Sequence, residues 1–276
     1  MESLSVIFFP VILTALIAGV LRAAGGAERG PSIAGFAVAG GFIVSWGFLL
    51  TPGWGPVESF GRIGHIAGGA ALAGLMLDFF GPKRFWAAVV AGIVIFVSTW
   101  ANLNNGFAVA GGLSAIKAVS FLILAAGALI VIARLDQLRD QRAVSYVTIV
   151  MVALSLSAQA AIVGDTDVSV TALILALCVG SYALFQTFVP VFLGDSVLLG
   201  AGAALLAIAW TLAERDPTTR IGLILVPLIL FADGTAKHVP LPNARISSIL
   251  YPIILACVAG LPLALGALIT FVMYGP

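Results

Sequence analysis

Long apolar runs alternate with short polar segments along the whole chain, and no polar segment is long enough to form a domain of its own. A helix needs about 20 apolar residues to cross the hydrocarbon core of a bilayer. Applied to this chain, that length predicts about ten transmembrane helices. They fall at 4–22, 32–50, 63–80, 85–101, 107–133, 144–163, 168–188, 194–212, 221–236 and 247–273. The seventh and ninth are the weakest, because the seventh lacks a strong break at its end and the ninth is short and contains Pro227.

Composition supports the same fold class. Hydrophobic residues make up 61% of the 276 residues, charged residues make up 9%, and the mean hydropathy is +1.17. Soluble domains carry about 25% charged residues. The strands of a membrane β-barrel would instead be short and would alternate between apolar and polar positions. The sequence therefore predicts an all-α, polytopic integral membrane protein.

Charge and motifs narrow the function classes. A net charge of +1 argues against nucleic acid as a partner, since binding to phosphates needs a basic surface. Cys178 and Cys257 lie inside apolar runs without metal-ligand spacing. The chain shows no GxSxG, HExxH, Walker A or dinucleotide-binding motif. We therefore expect no enzymatic activity, no cofactor and no metal site, and we expect the lipid bilayer as the surroundings.

The basic residues are distributed unevenly between the two sides of the predicted topology. With the N-terminus outside, nine of them lie on the inward side and three on the outward side. The inward ones are Arg22, Arg29, Lys83, Arg84, Arg134, Arg139, Arg142, Lys237 and Arg245, and the outward ones are Arg62, Arg215 and Arg220. By the positive-inside rule, this bias predicts a multi-pass protein of a bacterial-type inner membrane with both termini outside the cytoplasm.

An internal repeat is a second possible level of organisation. The segments "LDFFGPKRFWAAVVAGIVIF" and "LAERDPTTRIGLILVPLILF" place Pro82 and Pro217 at matching positions. They predict two inverted five-helix halves at 1–135 and 144–276, joined by a charged linker at 136–143. The alternative is chance likeness among helices that are rich in Ala, Gly, Leu and Val. This architecture resembles that of small secondary carriers such as the drug/metabolite transporters, although the likeness carries no residue over.

Two charged residues inside or at the ends of apolar runs are the strongest functional candidates, because ionisable groups are costly in lipid. Lys117 lies near mid-membrane if its helix starts at Gly106, or about one turn inside if it starts at Leu113, where its side chain could reach the interface. Asp233 follows the run that contains Pro227. It either binds an ion or solute or simply begins a loop, with Gly234 ending the helix.

Uncharged polar residues and one histidine complete the candidate set. Asn102 and Asn104, in "STWANLNNG", and Gln159, in the sixth helix, could line a polar path or belong to ordinary turns and packing. His65 could carry protons, since imidazole titrates near neutral pH, or it could be an interfacial residue. The Gly64/Gly68 spacing on the same helix indicates close helix packing, within the chain or against a protein partner or second copy.

Two function classes fit these observations. The first is a secondary transporter that binds a small solute between two halves, with Lys117, Asp233, Asn102, Asn104, Gln159 and His65 as the substrate-binding or proton-coupling residues. The second is a non-catalytic membrane subunit that anchors a larger complex through its small-residue faces.

Overall fold

The computed structural model describes residues 2–52, 59–81, 83–103, 115–139, 141–188, 193–239 and 244–274. Within these ranges the side chains of residues 2, 3, 59, 115–117, 142, 143 and 244–249 fall outside the description. Two predicted site residues are affected. Asn104 lies outside the described residues, and Lys117 lies in the first described turn of its helix with its side chain undescribed.

The described chain consists of helices and their connections, which confirms an all-α protein. The helices are α1 Glu2–Ala24, α2 Gly26–Ile33, α3 Phe36–Leu50, α4 Ser59–Phe80, α5 Arg84–Leu103, α6 Ala115–Gln137, α7 Arg142–Ile162, α8 Thr166–Phe188, α9 Asp195–Arg215, α10 Thr219–Leu223, α11 Val226–Ile229, α12 Ala232–Ala236 and α13 Ala244–Tyr274. Eight of the described helices are long and apolar enough to cross a membrane, so the protein is a multi-pass membrane protein.

The predicted count of ten spans is not confirmed. The second predicted span, 32–50, corresponds to α3. The preceding helix α2 meets α3 at an angle of 50°, and the pair raises the number of described spans to nine if it counts as one. Pro31 lies inside α2 and removes one backbone donor near the bend. Gly35 lies at the bend against α9, where an added Cβ would come within 2.9 Å of the Ser196 hydroxyl.

The ninth predicted span, 221–236, is divided into the short helices α10, α11 and α12. Between them the backbone forms tighter three-residue turns, such as Leu225 N–H to Gly222 O at 3.1 Å and Leu230 N–H to Pro227 O at 3.0 Å. Pro227 explains part of this break, because it lacks the N–H that a continuous helix needs at that position. The proposed five-plus-five repeat, with its boundaries at 135 and 144, stays a prediction.

Helix α9 is the most buried of the long described helices, and α4 packs along its length. Glycines permit this close approach, since an added Cβ at Gly74 would lie 2.3 Å from the Asp195 carbonyl oxygen. The Gly64/Gly68 face packs against α3 in the same chain. An added Cβ at Gly64 would lie 2.3 Å from the Trp46 ring, and one at Gly68 would lie 3.1 Å from Ile43.

Contacts between helix termini define two ends of the bundle. We call one the Asp78 end, because Asp78 near the end of α4 meets the start of α9, and Arg84 at the start of α5 faces Asp136 near the end of α6. The opposite one is the Arg62 end, where Arg62 near the start of α4 meets the end of α5.

Candidate functional site

A cavity of about 750 Å³ lies at the Asp78 end between α4, α5, α6 and α9. Helix α5 lines it with a stripe of small residues, Ala87, Ala88, Ala91 and Gly92, at helical spacing. These side chains leave space that larger ones would fill. Apolar residues form the rest of its wall, among them Leu129 and Ile132 of α6 and Leu198 of α9. Ligand pockets in proteins commonly enclose about 300–1,000 Å³, so the cavity is large enough for a small organic molecule.

Charged side chains of both signs surround the mouth of this cavity. The Arg139 guanidinium donates to Asp195 Oδ1 at 2.8 Å and to the Leu193 carbonyl oxygen at 3.0 Å, and it lies 4.0 Å from Asp78 Oδ1. Across the mouth, the largely exposed Arg84 approaches Asp136 at 4.0 Å. The mouth can therefore attract either sign of charge, while the interior offers mainly apolar contact.

Asp78 holds α4 against the start of α9. Its carboxylate accepts hydrogen bonds from the backbone N–H groups of Asp195 at 2.7 Å and Ser196 at 2.9 Å. These N–H groups belong to the first turn of α9. The first N–H groups of a helix have no acceptor within the helix itself, so Asp78 supplies one. Lys83 and Arg84 are close to Asp78 in sequence, but its basic neighbour in the described structure is Arg139.

Replacing Asp78 is expected to destabilise the protein. Asp78→Ala leaves the first N–H groups of α9 without their acceptor, which costs about 1–2 kcal/mol of unfolding free energy. Asp136→Ala is the matched control, because Asp136 is half exposed and its loss costs less than about 0.5 kcal/mol. Thermal unfolding in detergent measures both. Equal denaturation temperatures for the two variants would show that Asp78 does not hold α9.

A second, narrow cavity of about 10 Å³, room for about one water molecule, lies beyond the first toward the Arg62 end. Both cavities are lined by Ile95 and Ile132, so these two side chains separate them. Beyond the isoleucines the wall stays mainly apolar, but it includes three polar residues of α5, which are Ser98, Thr99 and Asn102. Asn102 is buried, and its amide donates to the Ser98 carbonyl oxygen at 3.0 Å.

Arg62 closes the bundle beyond Asn102. Its side chain is buried, and one guanidinium nitrogen lies 3.1 Å from the Ala101 carbonyl oxygen and 2.7 Å from the Asn102 carbonyl oxygen. These are the last carbonyls of α5, where the helix dipole favours a positive charge. Ser98, Thr99 and Asn102 are therefore separated from the Arg62 end by a buried cation and from the Asp78 end by two isoleucines.

Asp233 is placed in a different part of the Asp78 end, in an ion-pair cluster with Arg134 and Lys237. Its side chain is 2% exposed, it pairs with the Arg134 guanidinium, and it accepts a hydrogen bond from Lys237 Nζ at 3.1 Å. Arg134 belongs to α6, so the pair ties that helix to α12. Asp233 thus does more than begin a loop.

The surroundings of Asp233 keep its carboxylate ionised. Burial raises the pKa of Asp233, but the hydrogen bonds and positive charges of Lys237 and Arg134 outweigh this effect and hold the pKa below its usual range. A carboxyl group with a lowered pKa does not exchange protons near neutral pH. This direction favours the ionised form of Asp233, and its proton-coupling role stays a prediction.

The other predicted residues lie apart from one another. Gln159 is buried between α7, α10 and α13, where its amide donates to the Ser155 hydroxyl at 3.3 Å and accepts from the Thr270 hydroxyl at 3.4 Å. His65 is exposed on α4, with its Nδ1 3.0 Å from the Gly61 carbonyl oxygen. The structure therefore does not join Asp233, Asn102, Gln159 and His65 into one site.

Sequence reasoning missed the residues that shape the large cavity. The signal is the small-residue stripe at 87, 88, 91 and 92, which lies inside a long apolar run and resembles ordinary transmembrane sequence there. Arg62 and Arg139 were assigned to loops because they lie near predicted span ends. Their partners on other helices could not be inferred from one sequence.

No group of three or more His, Cys, Asp or Glu residues suited to holding a metal occurs in the part of the chain that the structure describes. No protein-family model matches the chain, and no curated protein resembles it significantly.

Proposed function

We propose that this protein is a secondary transporter that moves a small organic solute through the space between α4, α5, α6 and α9. The observation that carries the proposal is the cavity of about 750 Å³, which opens at the Asp78 end, with the narrow cavity beyond Ile95 and Ile132 on the way toward Arg62. A solute path through a bundle needs an opening at one side and a closure at the other. The isoleucine pair and Arg62 supply the closure in this arrangement.

The lining suggests the class of solute. An apolar wall with charged groups of both signs at the mouth suits an organic molecule that carries apolar surface together with charge. Asn102, Ser98 and Thr99 would offer hydrogen bonds further along the path. Lys117 remains part of the proposal as a charged residue of α6, and we assign no role to Gln159 or His65 beyond packing and interfacial contact.

We further propose that the Asp78 end faces the cytoplasm of a bacterial-type inner membrane. Arg29 stacks over the Phe79 ring at 4.6 Å, and Arg134 and Lys237 both contact Asp233, so these basic side chains share this end. The positive-inside rule favours the cytoplasm for it. The open cavity would then face inward, with both termini on the opposite side.

A non-catalytic subunit is the alternative function, and one of the faces suggested for its partner contacts is used within the chain. The Gly64/Gly68 face that could have bound a partner packs against α3 within the chain. The cavity, by contrast, has no evident purpose in a scaffold.

Two-sided access to Ser98 tests the transporter proposal. We expect a Ser98→Cys variant, with Cys178 and Cys257 replaced by Ala, to react with a membrane-impermeant cationic methanethiosulfonate in both right-side-out and inside-out vesicles. The reason is that alternating access opens the narrow cavity to each side in turn. Gly69→Cys on the outer face of α4 is the control and should react from neither side. Reaction of Ser98→Cys from one side only, or from neither, would contradict alternating access.

A further inference from the structure

A separate apolar crevice of about 140 Å³ lies between α6, α7, α9 and the broken segment α10–α11. All residues that line it are apolar or glycine, among them Gly127 of α6, Leu156 of α7 and Pro227 of α11. Ile130, which also lines it, is 48% exposed, so the crevice opens onto the outer surface of the bundle. Unlike the large cavity, it has no charged lining residue.

One end of this crevice leads to the Asp233 cluster. Leu230 lines the crevice, and its carbonyl oxygen accepts a hydrogen bond from Arg134 Nε at 3.1 Å. Arg134, Asp233 and Lys237 together carry a net charge of +1. Lys237 is 51% exposed and gives one hydrogen bond to Asp233, whereas an ammonium group has three donors. The cluster can therefore receive an anionic group at the surface of the protein.

We propose that this crevice and cluster form a binding site for an anionic phospholipid. One acyl chain occupies the apolar crevice, and the phosphate binds the half-exposed Lys237, while Arg134 adds positive charge from within the cluster. Charge complementarity selects the occupant, since an apolar slot alone accepts any acyl chain but a basic group at its end favours an anionic headgroup. Anionic lipids are attracted to basic residues at the membrane surface. The proposal does not depend on the transport function.

Native mass spectrometry of the full-length protein released from nanodiscs tests this site. The nanodiscs contain equal amounts of phosphatidylglycerol and phosphatidylcholine. Gly127→Leu fills the crevice, and an added Cβ there has no neighbour within 4 Å, so the fold tolerates it. Lys237→Gln removes the headgroup contact. The controls are Gly69→Leu, which is equally unhindered at its Cβ, and Lys83→Gln, which removes another exposed lysine at the same end.

We expect the wild-type protein to retain phosphatidylglycerol over phosphatidylcholine by about fivefold, the preference typical of one basic residue at a membrane surface. Both test variants should lose that preference, while both controls keep it. Equal retention of the two lipids by the wild-type protein would overturn the proposal. Loss in Lys237→Gln but not in Gly127→Leu would also overturn it, because the acyl chain would then lie outside the crevice.

Discussion

Gly92→Trp is expected to obstruct the large cavity and to slow access to its floor. Gly92 lines the cavity, and an added Cβ there meets no atom within 4 Å, so the indole extends into empty space without displacing the backbone. Ile95 lies about one helical turn further from the mouth. In an Ile95→Cys protein without its native cysteines, the Trp substitution should slow modification by a cationic methanethiosulfonate about tenfold or more, because close-packed side chains exclude the reagent.

Gly69→Trp is the matched control for that experiment. Gly69 is exposed on α4, its Cβ position is equally unhindered, and it lines none of the cavities described above. It should leave the modification rate of Ile95→Cys within about twofold, as expected of a substitution remote from the cavity. Equal rates in the Gly92→Trp and Gly69→Trp proteins would show that the reagent reaches Ile95 by a route other than this cavity.

Asp233→Asn is expected to cause the largest loss of stability among single substitutions in the ion-pair clusters. It leaves Arg134, which is 18% exposed, beside Lys237 without the carboxylate that neutralises both. Removing one partner of a buried ion pair leaves the other charge buried and costs about 3 kcal/mol of unfolding free energy. Lys237→Gln should cost less than about 1 kcal/mol, because the ammonium group is half exposed. Chemical denaturation in detergent measures the difference.

The pH dependence of this effect follows from the lowered pKa of Asp233. A carboxyl group whose pKa is lower in the folded state stabilises the protein fully above its unfolded pKa, about 3.9, and loses that contribution as the pH falls through the folded pKa. The stability difference between wild type and Asp233→Asn should therefore be constant from pH 5 to 8, a range that lies above both pKa values. A difference that changes across that range would restore Asp233 as a candidate proton carrier.

The membrane fold could be predicted from the sequence because lipid imposes a simple rule on helix length and apolarity. The rule fails where a span is not one straight helix. Gly35 lies at the bend between α2 and α3, and Pro227 interrupts an apolar run that hydropathy alone treats as continuous. Neither hydropathy nor length reports the 50° bend between α2 and α3.

The site was predicted less well, because single charged residues do not reveal their partners. The sequence singles out Asp233, but its surroundings depend on Arg134, which lies 99 positions away in the sequence. Asn102 proved to line the narrow cavity, whereas Gln159 is used in packing between α7, α10 and α13. A cavity forms where side chains are too small to fill the space between helices. A stripe of alanines does not predict such a cavity, because alanine is common in any apolar helix.

Solute uptake by reconstituted vesicles tests the central claim most directly. Proteoliposomes would be incubated with a mixture of amino acids, organic acids, sugars and quaternary amines, and their contents analysed by mass spectrometry. Transport predicts that the wild-type and Gly69→Trp proteins accumulate at least one solute above protein-free vesicles, and that Gly92→Trp does not. Accumulation by Gly92→Trp at the wild-type rate would contradict the proposed path, and no accumulation of any solute by the wild-type protein would contradict the assignment as a transporter of these solute classes.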